Sequence, residues 1–167
     1  MLRVVVLTTI LISVAIGTFY QLGYRINTSN SFPTGVWKIV EKKEYKLGDI
    51  VAFCPVSSPT IQLARKYSYL SWSVVCDSNV SPMIKAIAGF SGDKAIVREN
   101  YISINDITTE FIEIDPLGRK LTLTKSLLVP PLYFWAFSKG VYGFDSRYFG
   151  PVPMKSIIGK ANLVIPF

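Results

Sequence analysis

The strongest hydrophobic pattern in the chain is one long apolar run close to its amino terminus. From Val4 to Tyr20 no residue is charged, and only Thr, Ser and Gly interrupt the apolar side chains. A helix of about 17 to 20 residues can just cross a hydrocarbon core of about 30 Å. The pattern therefore predicts a transmembrane anchor over residues 4–23. The alternative is a cleaved signal peptide, with Ala15 and Gly17 as small residues near the cleavage position. The apolar run continues beyond them, which favours an uncleaved anchor.

The remaining residues, 24–167, predict a single β-rich domain. Short apolar segments alternate with Gly-Asp and Pro-containing turns, and helical periodicity is weak except around residues 60–69. This pattern favours a mainly β fold, a single antiparallel β-barrel-like domain tethered by one N-terminal transmembrane helix. The predicted strands are 35–40, 50–53, 83–90, 94–97, 101–104, 111–114, 121–123, 132–137 and 159–165.

Composition removes several classes of function. The chain of 167 residues has no histidine, which excludes a Ser-His-Asp triad. We predict no metal site and no cofactor, because the two cysteines have neither zinc-site nor redox-pair spacing. The net charge is +7, but the basic residues are spread along the chain. We therefore predict no nucleic-acid partner, and we assign the charge to attraction between the domain and anionic membrane lipid.

The two cysteines, Cys54 and Cys76, bear on the cellular compartment. A disulfide between them would close a loop of about 23 residues and stabilise the fold by about 3 kcal/mol. Such a bond persists only in an oxidising compartment. The alternative is a pair of buried free thiols in a cytosolic protein. The disulfide and the anchor together place most of the chain outside the cytoplasmic membrane.

The candidate chemistry begins with a hydroxyl-rich stretch, residues 27–35, just after the apolar run. A hydroxyl becomes a nucleophile when a base removes its proton, and without histidine the common choice is a lysine kept neutral by burial. Lys85 lies in an apolar strand and shares a face with Met83 and Ile87, either buried or at a solvated edge. Taken alone, Ser31 is typical of a loop and Lys85 of an exposed lysine.

Three segments in order resemble the TraF-like conjugative-transfer peptidases of the signal peptidase I superfamily. They are Asn-Thr-Ser-Asn-Ser-Phe-Pro-Thr-Gly at 27–35, a Lys box ending in Gly-Asp at 85–93, and Asp-Ser-Arg-Tyr-Phe-Gly-Pro at 145–151. The Cys-Pro beginning at Cys54 and the later Cys76 also resemble this branch. The resemblance covers nearly the whole chain and implies a Ser/Lys dyad serine endopeptidase.

By this resemblance Ser31 is the nucleophile and Lys85 is the general base, which later protonates the leaving amine. The oxyanion hole is expected to consist of the backbone N–H of Ser31 and the hydroxyl of Ser29, which can both point at one carbonyl oxygen.

The third box implies further site residues. Asp145 is expected to position the wall of the active site, through an ion pair with Arg147, and Ser146 beside them is expected to give structural support. One departure concerns Gly143, because many signal peptidases have a hydroxyl at that position, two residues before the Asp, in contact with the lysine. The sequence does not name the group that orients Lys85 instead.

The resemblance implies a membrane-bound enzyme in the bacterial inner membrane, single-pass, with its catalytic domain in the periplasm. The expected substrate is a secreted precursor, most directly the propilin of a conjugative type IV secretion system, cleaved through an acyl-enzyme and in some relatives cyclised. Other conjugative-transfer proteins are further expected partners. The alternatives are a general signal peptidase I acting on signal-peptide-bearing proteins and an inactive scaffold of a secretion channel.

Overall fold

The first element of the protein, seen in a computed structural model, is the long helix α1, Leu2–Gln21. The structure describes residues 1–29, 31–138 and 140–167. Within these ranges α1 is the one helix long and apolar enough to cross a membrane, and none of its residues is buried against the rest of the protein. An apolar helix of 20 residues with no buried residue suits a lipid environment, either as an anchor or as a signal sequence.

The rest of the chain is mainly β, as the sequence predicts, and its largest element is a curled antiparallel sheet that forms a half-barrel. Seven strands follow each other across this sheet in the order β1-β2-β10-β3-β4-β8-β9, and β5-β6-β7 form a smaller sheet. The large sheet consists of β1 (Tyr24–Asn27), β2 (Gly35–Val40), β3 (Ile50–Phe53), β4 (Met83–Phe90), β8 (Tyr133–Phe137), β9 (Val152–Pro153) and β10 (Ile157–Pro166). The small sheet consists of β5 (Ile96–Arg98), β6 (Tyr101–Ile104) and β7 (Ile107–Glu110).

Two short helices and a turn complete the fold. Helix α2, Pro59–Lys66, begins at Ser58, whose side chain accepts a hydrogen bond from the backbone N–H of Ile61. It lies close to the helix predicted around residues 60–69. Helix α3, Ser146–Phe149, is a single turn, and a 3₁₀ turn covers Met154–Ser156.

Two predicted strands are wrong. Residues 111–114 and 121–123 form no regular strand and make only the isolated bridge between Ile114 and Lys120. The reason lies in Asp115, whose carboxylate accepts hydrogen bonds from the backbone N–H groups of Leu117 and Arg119 at 2.9 and 2.8 Å. These bonds fold the segment into a turn. Phe111 and Leu121, on either side of the turn, are buried without regular strand pairing, whereas Ile114 and Leu117 are exposed. The third strand of the small sheet is instead β7.

The strand predicted over residues 94–97 begins later, at Ile96, and Lys94 makes only an isolated bridge to Leu128. Strand β1 was not predicted, because only Leu22 and Gly23 separate it from the apolar helix and the sequence pattern does not resolve the two.

The disulfide between Cys54 and Cys76 is present, with the two Cα atoms 5.4 Å apart, so this prediction is confirmed and the free-thiol alternative is wrong. The bond joins the end of β3 to the segment that leads into β4. It closes a loop with a sequence separation of 22 residues, which corresponds to about 3 kcal/mol in the chain-entropy description. The disulfide therefore stabilises the strand pair that carries Lys85.

Candidate active site

The loop that carries Ser31 is shaped from one side by the buried side chain of Asn27, the last residue of β1. Its amide nitrogen donates to the backbone carbonyls of Ser29, Phe32 and Pro33, each at 3.1 Å. Its amide oxygen accepts from the backbone N–H of Ser29 at 3.2 Å. One buried side chain therefore joins Ser29, before Ser31, to Phe32 and Pro33 after it.

The other side of the loop rests on β2 and β10. Phe32 is buried edge-to-face against Trp37, with ring centroids 6.2 Å apart, and the Trp37 indole N–H donates to the carbonyl of Pro33 at 3.1 Å. Gly35 has a φ of +151°, and a Cβ at this position would lie 2.3 Å from the carbonyl oxygen of Ile165. Only glycine allows β10 to approach this closely, so the loop ends against the backbone of β10.

Ser29, predicted to contribute to the oxyanion hole, points its hydroxyl at Asn27 in this structure. The Ser29 Oγ donates to the amide oxygen of Asn27 at 2.7 Å. The residue is exposed, so the hydroxyl can rotate away from Asn27 when a substrate offers a charged oxygen. The oxyanion role of Ser29 and of the Ser31 backbone N–H stays a prediction.

Lys85 is buried in the middle of the large sheet. Strand β4 lies between β3 and β8, Lys85 is paired with Val51, and its side chain is only 3% exposed. Met83 and Ile87 are buried on the same face, which rules out the solvated edge that the sequence left open. Burial lowers the pKa of Lys85 from 10.5 to about 8, because desolvation disfavours the ammonium more than the nearby Asp145 carboxylate stabilises it. The charge of Arg147 lowers this pKa further.

The Lys85 ammonium nitrogen donates a hydrogen bond to the hydroxyl of Ser138, at 2.7 Å. The sequence analysis missed Ser138, which belongs to none of the three boxes. It is the residue after β8, and the pairing of Phe137 with Ala86 brings it beside Lys85. Ser138 directly follows the predicted aromatic strand 132–137, but only knowledge that this strand pairs with β4 would have identified it.

Behind Ser138 lies a fully buried ion pair between Asp145 and Arg147, both 0% exposed. Arg147 donates through Nε and one terminal nitrogen to the two carboxylate oxygens at 2.8 and 2.9 Å. The guanidinium also donates to the carbonyls of Gly140 and Gly143 at 3.1 and 2.6 Å. One Asp145 oxygen accepts from the backbone N–H of Ser138 at 2.7 Å. The pair therefore holds the backbone of Ser138 and that of Gly140.

Ser146 supports the same wall. Its hydroxyl accepts a hydrogen bond from the backbone N–H of Ala136, in β8, at 2.9 Å. Asp145 caps the following turn by accepting from the backbone N–H of Arg147 at 3.1 Å, which explains helix α3. The turn and β8 are thereby fastened to each other beside Lys85.

A cavity of about 470 Å³ brings Ser29, Ser31 and Lys85 onto one surface. Asp145 and Arg147 do not line it among the described residues, because they are enclosed behind Ser138. Within the described residues no cluster of three His, Cys, Asp or Glu side chains has metal-binding geometry. The remaining wall is largely apolar and aromatic; it includes Tyr69, Leu70, Met83, Ile84, Tyr142 and Phe144.

Of the aromatic side chains at residues 67–72, some line the cavity and others lie on the protein surface. Tyr69 lines the cavity and stacks on Phe144 with ring centroids 5.7 Å apart and ring planes 3° apart. Its hydroxyl donates to Asp115, and burial together with this carboxylate raises the pKa of Tyr69 to about 12. Trp72, by contrast, is 65% exposed. A cavity whose wall combines apolar and aromatic side chains with a few polar groups can bind a peptide.

Comparison with known proteins gives a line of evidence that does not depend on the geometry of the site. The family model described as signal peptidase, peptidase S26 matches residues 1–166. A conjugal transfer protein TraF from Agrobacterium tumefaciens is 31% identical over 148 residues, which cover 87% of this chain and 84% of that protein. A probable conjugal transfer protein TraF from Sinorhizobium fredii is 31% identical over 151 residues, covering 87% and 78%. A crystal structure of a signal peptidase I from Enterococcus faecalis aligns with a TM-score of 0.42 at 22% identity, covering 71% of this chain and 97% of that one.

Proposed function

We propose, from the premise that this chain belongs to the signal peptidase family, peptidase S26, that it is a membrane-anchored serine endopeptidase with a Ser31/Lys85 dyad. The observation that carries the proposal is that a lysine with a depressed pKa lines the same cavity as Ser31. An amine that is partly neutral near physiological pH can take a proton from an alcohol, which an ordinary exposed lysine cannot do efficiently.

The proposed reaction has two steps. The Ser31 hydroxyl oxygen bonds to the scissile carbonyl carbon while its proton passes to the neutral Lys85 amine. The carbon–nitrogen bond then breaks, and the Lys85 ammonium returns the proton to the leaving amine, which leaves an ester on Ser31. Water, activated by the again neutral Lys85, or an amine of the substrate then attacks the ester and releases Ser31. The developing negative oxygen is stabilised by the Ser31 backbone N–H and by the Ser29 hydroxyl after it turns from Asn27.

The proposed substrate is a secreted precursor of a conjugation system, most directly a propilin. The support is that the related proteins from Agrobacterium and Sinorhizobium are named for conjugal transfer. A general signal peptidase I activity is the second candidate within the same family. Hydrolysis and cyclisation differ only in whether water or the amino terminus of the product reaches the ester.

The proposed location is the inner membrane of a bacterium, with residues 4–23 as the anchor and 24–167 as a peptidase domain in the periplasm. Two features support it: the apolar helix α1, none of whose residues is buried, and the disulfide of Cys54 and Cys76. Disulfides persist in the oxidising periplasm and are rare in the cytosol. At the membrane surface the cavity would meet precursors while they are still held in the bilayer.

Mass spectrometry of the pilin from cells with and without the protein tests this function. We expect a shortened pilin only when the protein is present, with a further loss of 18 Da (one water) if the shortened product is cyclised. A pilin of identical mass in both strains would reject the pilin-processing role. Parallel analysis of other exported proteins separates a dedicated enzyme from a general signal peptidase.

The rate of cleavage is expected to depend on pH through Lys85. Below a pH of about 8 the amine is mostly protonated and cannot act as a base, so kcat should rise with pH through about 8 and then level off. Asp145 and Arg147 are the charged groups that act on Lys85. Single-turnover cleavage of a fluorogenic precursor peptide between pH 6 and 10 measures the profile. A rate that is flat over this range would mean that Lys85 is not the base.

A further inference from the structure

We propose that Ser138 is the positioning residue that orients Lys85 for proton transfer, an inference that rests on the proposed Ser/Lys function. Lys85 and Ser138 are both buried, with 3% and 6% exposure, and their polar atoms are 2.7 Å apart. A buried hydroxyl in contact with a buried amine leaves little freedom to either group.

Orientation matters because a neutral amine has a single lone pair. When one N–H of Lys85 donates to the Ser138 oxygen, rotation about the last carbon–nitrogen bond is restricted. The lone pair is then confined to the two staggered positions that do not face Ser138, on an amine that lines the same cavity as Ser31. Without the hydroxyl, the amine would rotate among several directions, of which few allow transfer from Ser31.

The position of Ser138 is itself held from behind. Its backbone N–H donates to Asp145 at 2.7 Å, and Asp145 is held in turn by the two hydrogen bonds from Arg147. Through this series of hydrogen bonds the buried ion pair acts on the active-site lysine, although it does not line the cavity. It fixes Ser138, and Ser138 fixes Lys85.

Gly143 makes room for this arrangement. A Cβ at residue 143 would lie 2.2 Å from the Cβ of Ser138 and 2.4 Å from its hydroxyl oxygen. A side chain at 143 and the present side chain at 138 therefore exclude each other. The geometry also shows that a hydroxyl placed on residue 143 would occupy nearly the same space, provided that residue 138 has no side chain.

The test compares Ser138→Ala with the full-length wild-type protein in detergent micelles, using cleavage of a precursor peptide. We expect kcat to fall by about 10- to 100-fold, as a misdirected base loses part of its contribution, while KM changes less than about twofold. The midpoint of the pH profile should not move upward, because the lost hydrogen bond stabilised the ammonium rather than the neutral amine. Ser156→Ala is the matched control, since it removes a hydroxyl with a 2.7 Å hydrogen bond outside the cavity, and it should retain the wild-type kcat.

A relocated hydroxyl separates positioning from general stability. Ser138→Gly should be as slow as Ser138→Ala, and adding Gly143→Ser to Ser138→Gly should recover at least about tenfold in kcat. The inference is overturned if Ser138→Ala keeps wild-type kcat, if Ser156→Ala is equally impaired, or if the relocated hydroxyl recovers nothing in a folded protein. Ser31→Ala in the same assay tests the proposed dyad separately from the role of Ser138. An active Ser31→Ala variant would refute the dyad itself.

Discussion

Ser31→Ala and Lys85→Met will each reduce precursor cleavage by about 10⁴-fold or more, because either change removes a group through which the acyl-enzyme must form. The double variant will be no slower than the slower single variant, since the two groups act as one unit. Cleavage is measured with purified protein in micelles. Ser91→Ala and Lys94→Met, which alter an exposed serine and an exposed lysine, are the matched controls and should keep wild-type rates. Wild-type cleavage by either dyad variant would favour the inactive-scaffold alternative.

Lys85→Met is expected to be as stable toward unfolding as the wild-type protein, or more stable. The pKa of Lys85 falls from 10.5 to about 8 on folding, so between these pH values the unfolded chain binds more protons and stability rises with pH. At pH 7 both states are protonated, and the folded state carries the whole cost of the buried ammonium, about 3 kcal/mol. Methionine removes that cost and loses one hydrogen bond, worth about 1 kcal/mol. A clear fall in Tm for Lys85→Met at pH 7 would contradict this account.

Arg147→Met will destabilise the protein by about 3–5 kcal/mol, because it leaves the Asp145 carboxylate buried without its partner. Carbonyls of Gly140 and Gly143 also lose their donors. Urea unfolding measures the effect, and the exposed Arg98→Met is the control that should change stability by less than about 0.5 kcal/mol.

A second comparison separates the loss of an ion pair from the loss of packing. Combining Arg147→Met with Asp145→Asn removes the uncompensated charge, so the double variant should be less destabilised than the sum of the two single variants. If the free energy of unfolding of Arg147→Met lies within about 1 kcal/mol of the wild-type value, the buried pair does not have the structural role assigned to it.

The sequence predicts those parts of the fold in which local pattern and tertiary structure agree. The bounds of β2, β3 and β4 coincide with apolar segments, because these strands are central and both local preference and burial favour them. The segment around Asp115 differs, since it is shaped by a side-chain-stabilised turn that has no periodicity. The single turn of α3 depends on one capping carboxylate and is too short to leave a pattern.

The site shows the same division. Taken singly, Ser31 could be an ordinary loop serine and Lys85 an ordinary exposed lysine. Only the presence of three motifs in the right order indicates that they are catalytic candidates. The burial of Lys85 depends on β3 and β8 flanking β4, and the contact with Ser138 depends on strand pairing across 53 residues of sequence. The cradle formed by Asn27 likewise depends on the folded loop. Such non-local contacts have no signature in a single sequence.

The place of β10 between β2 and β3 has a consequence for biosynthesis. Strand β10 follows all other strands in the chain, and its Lys160 is opposite both Val40 of β2 and Val51 of β3. Helix α1 precedes all the strands, and β2 and β3 gain their shared neighbour only after the residues between β3 and β10 have been synthesised. Pairing over such a distance is slow. If the cavity is the proposed active site, its wall is completed only when Ile158 of β10 is in place, so a chain that still lacks β10 has an incomplete site.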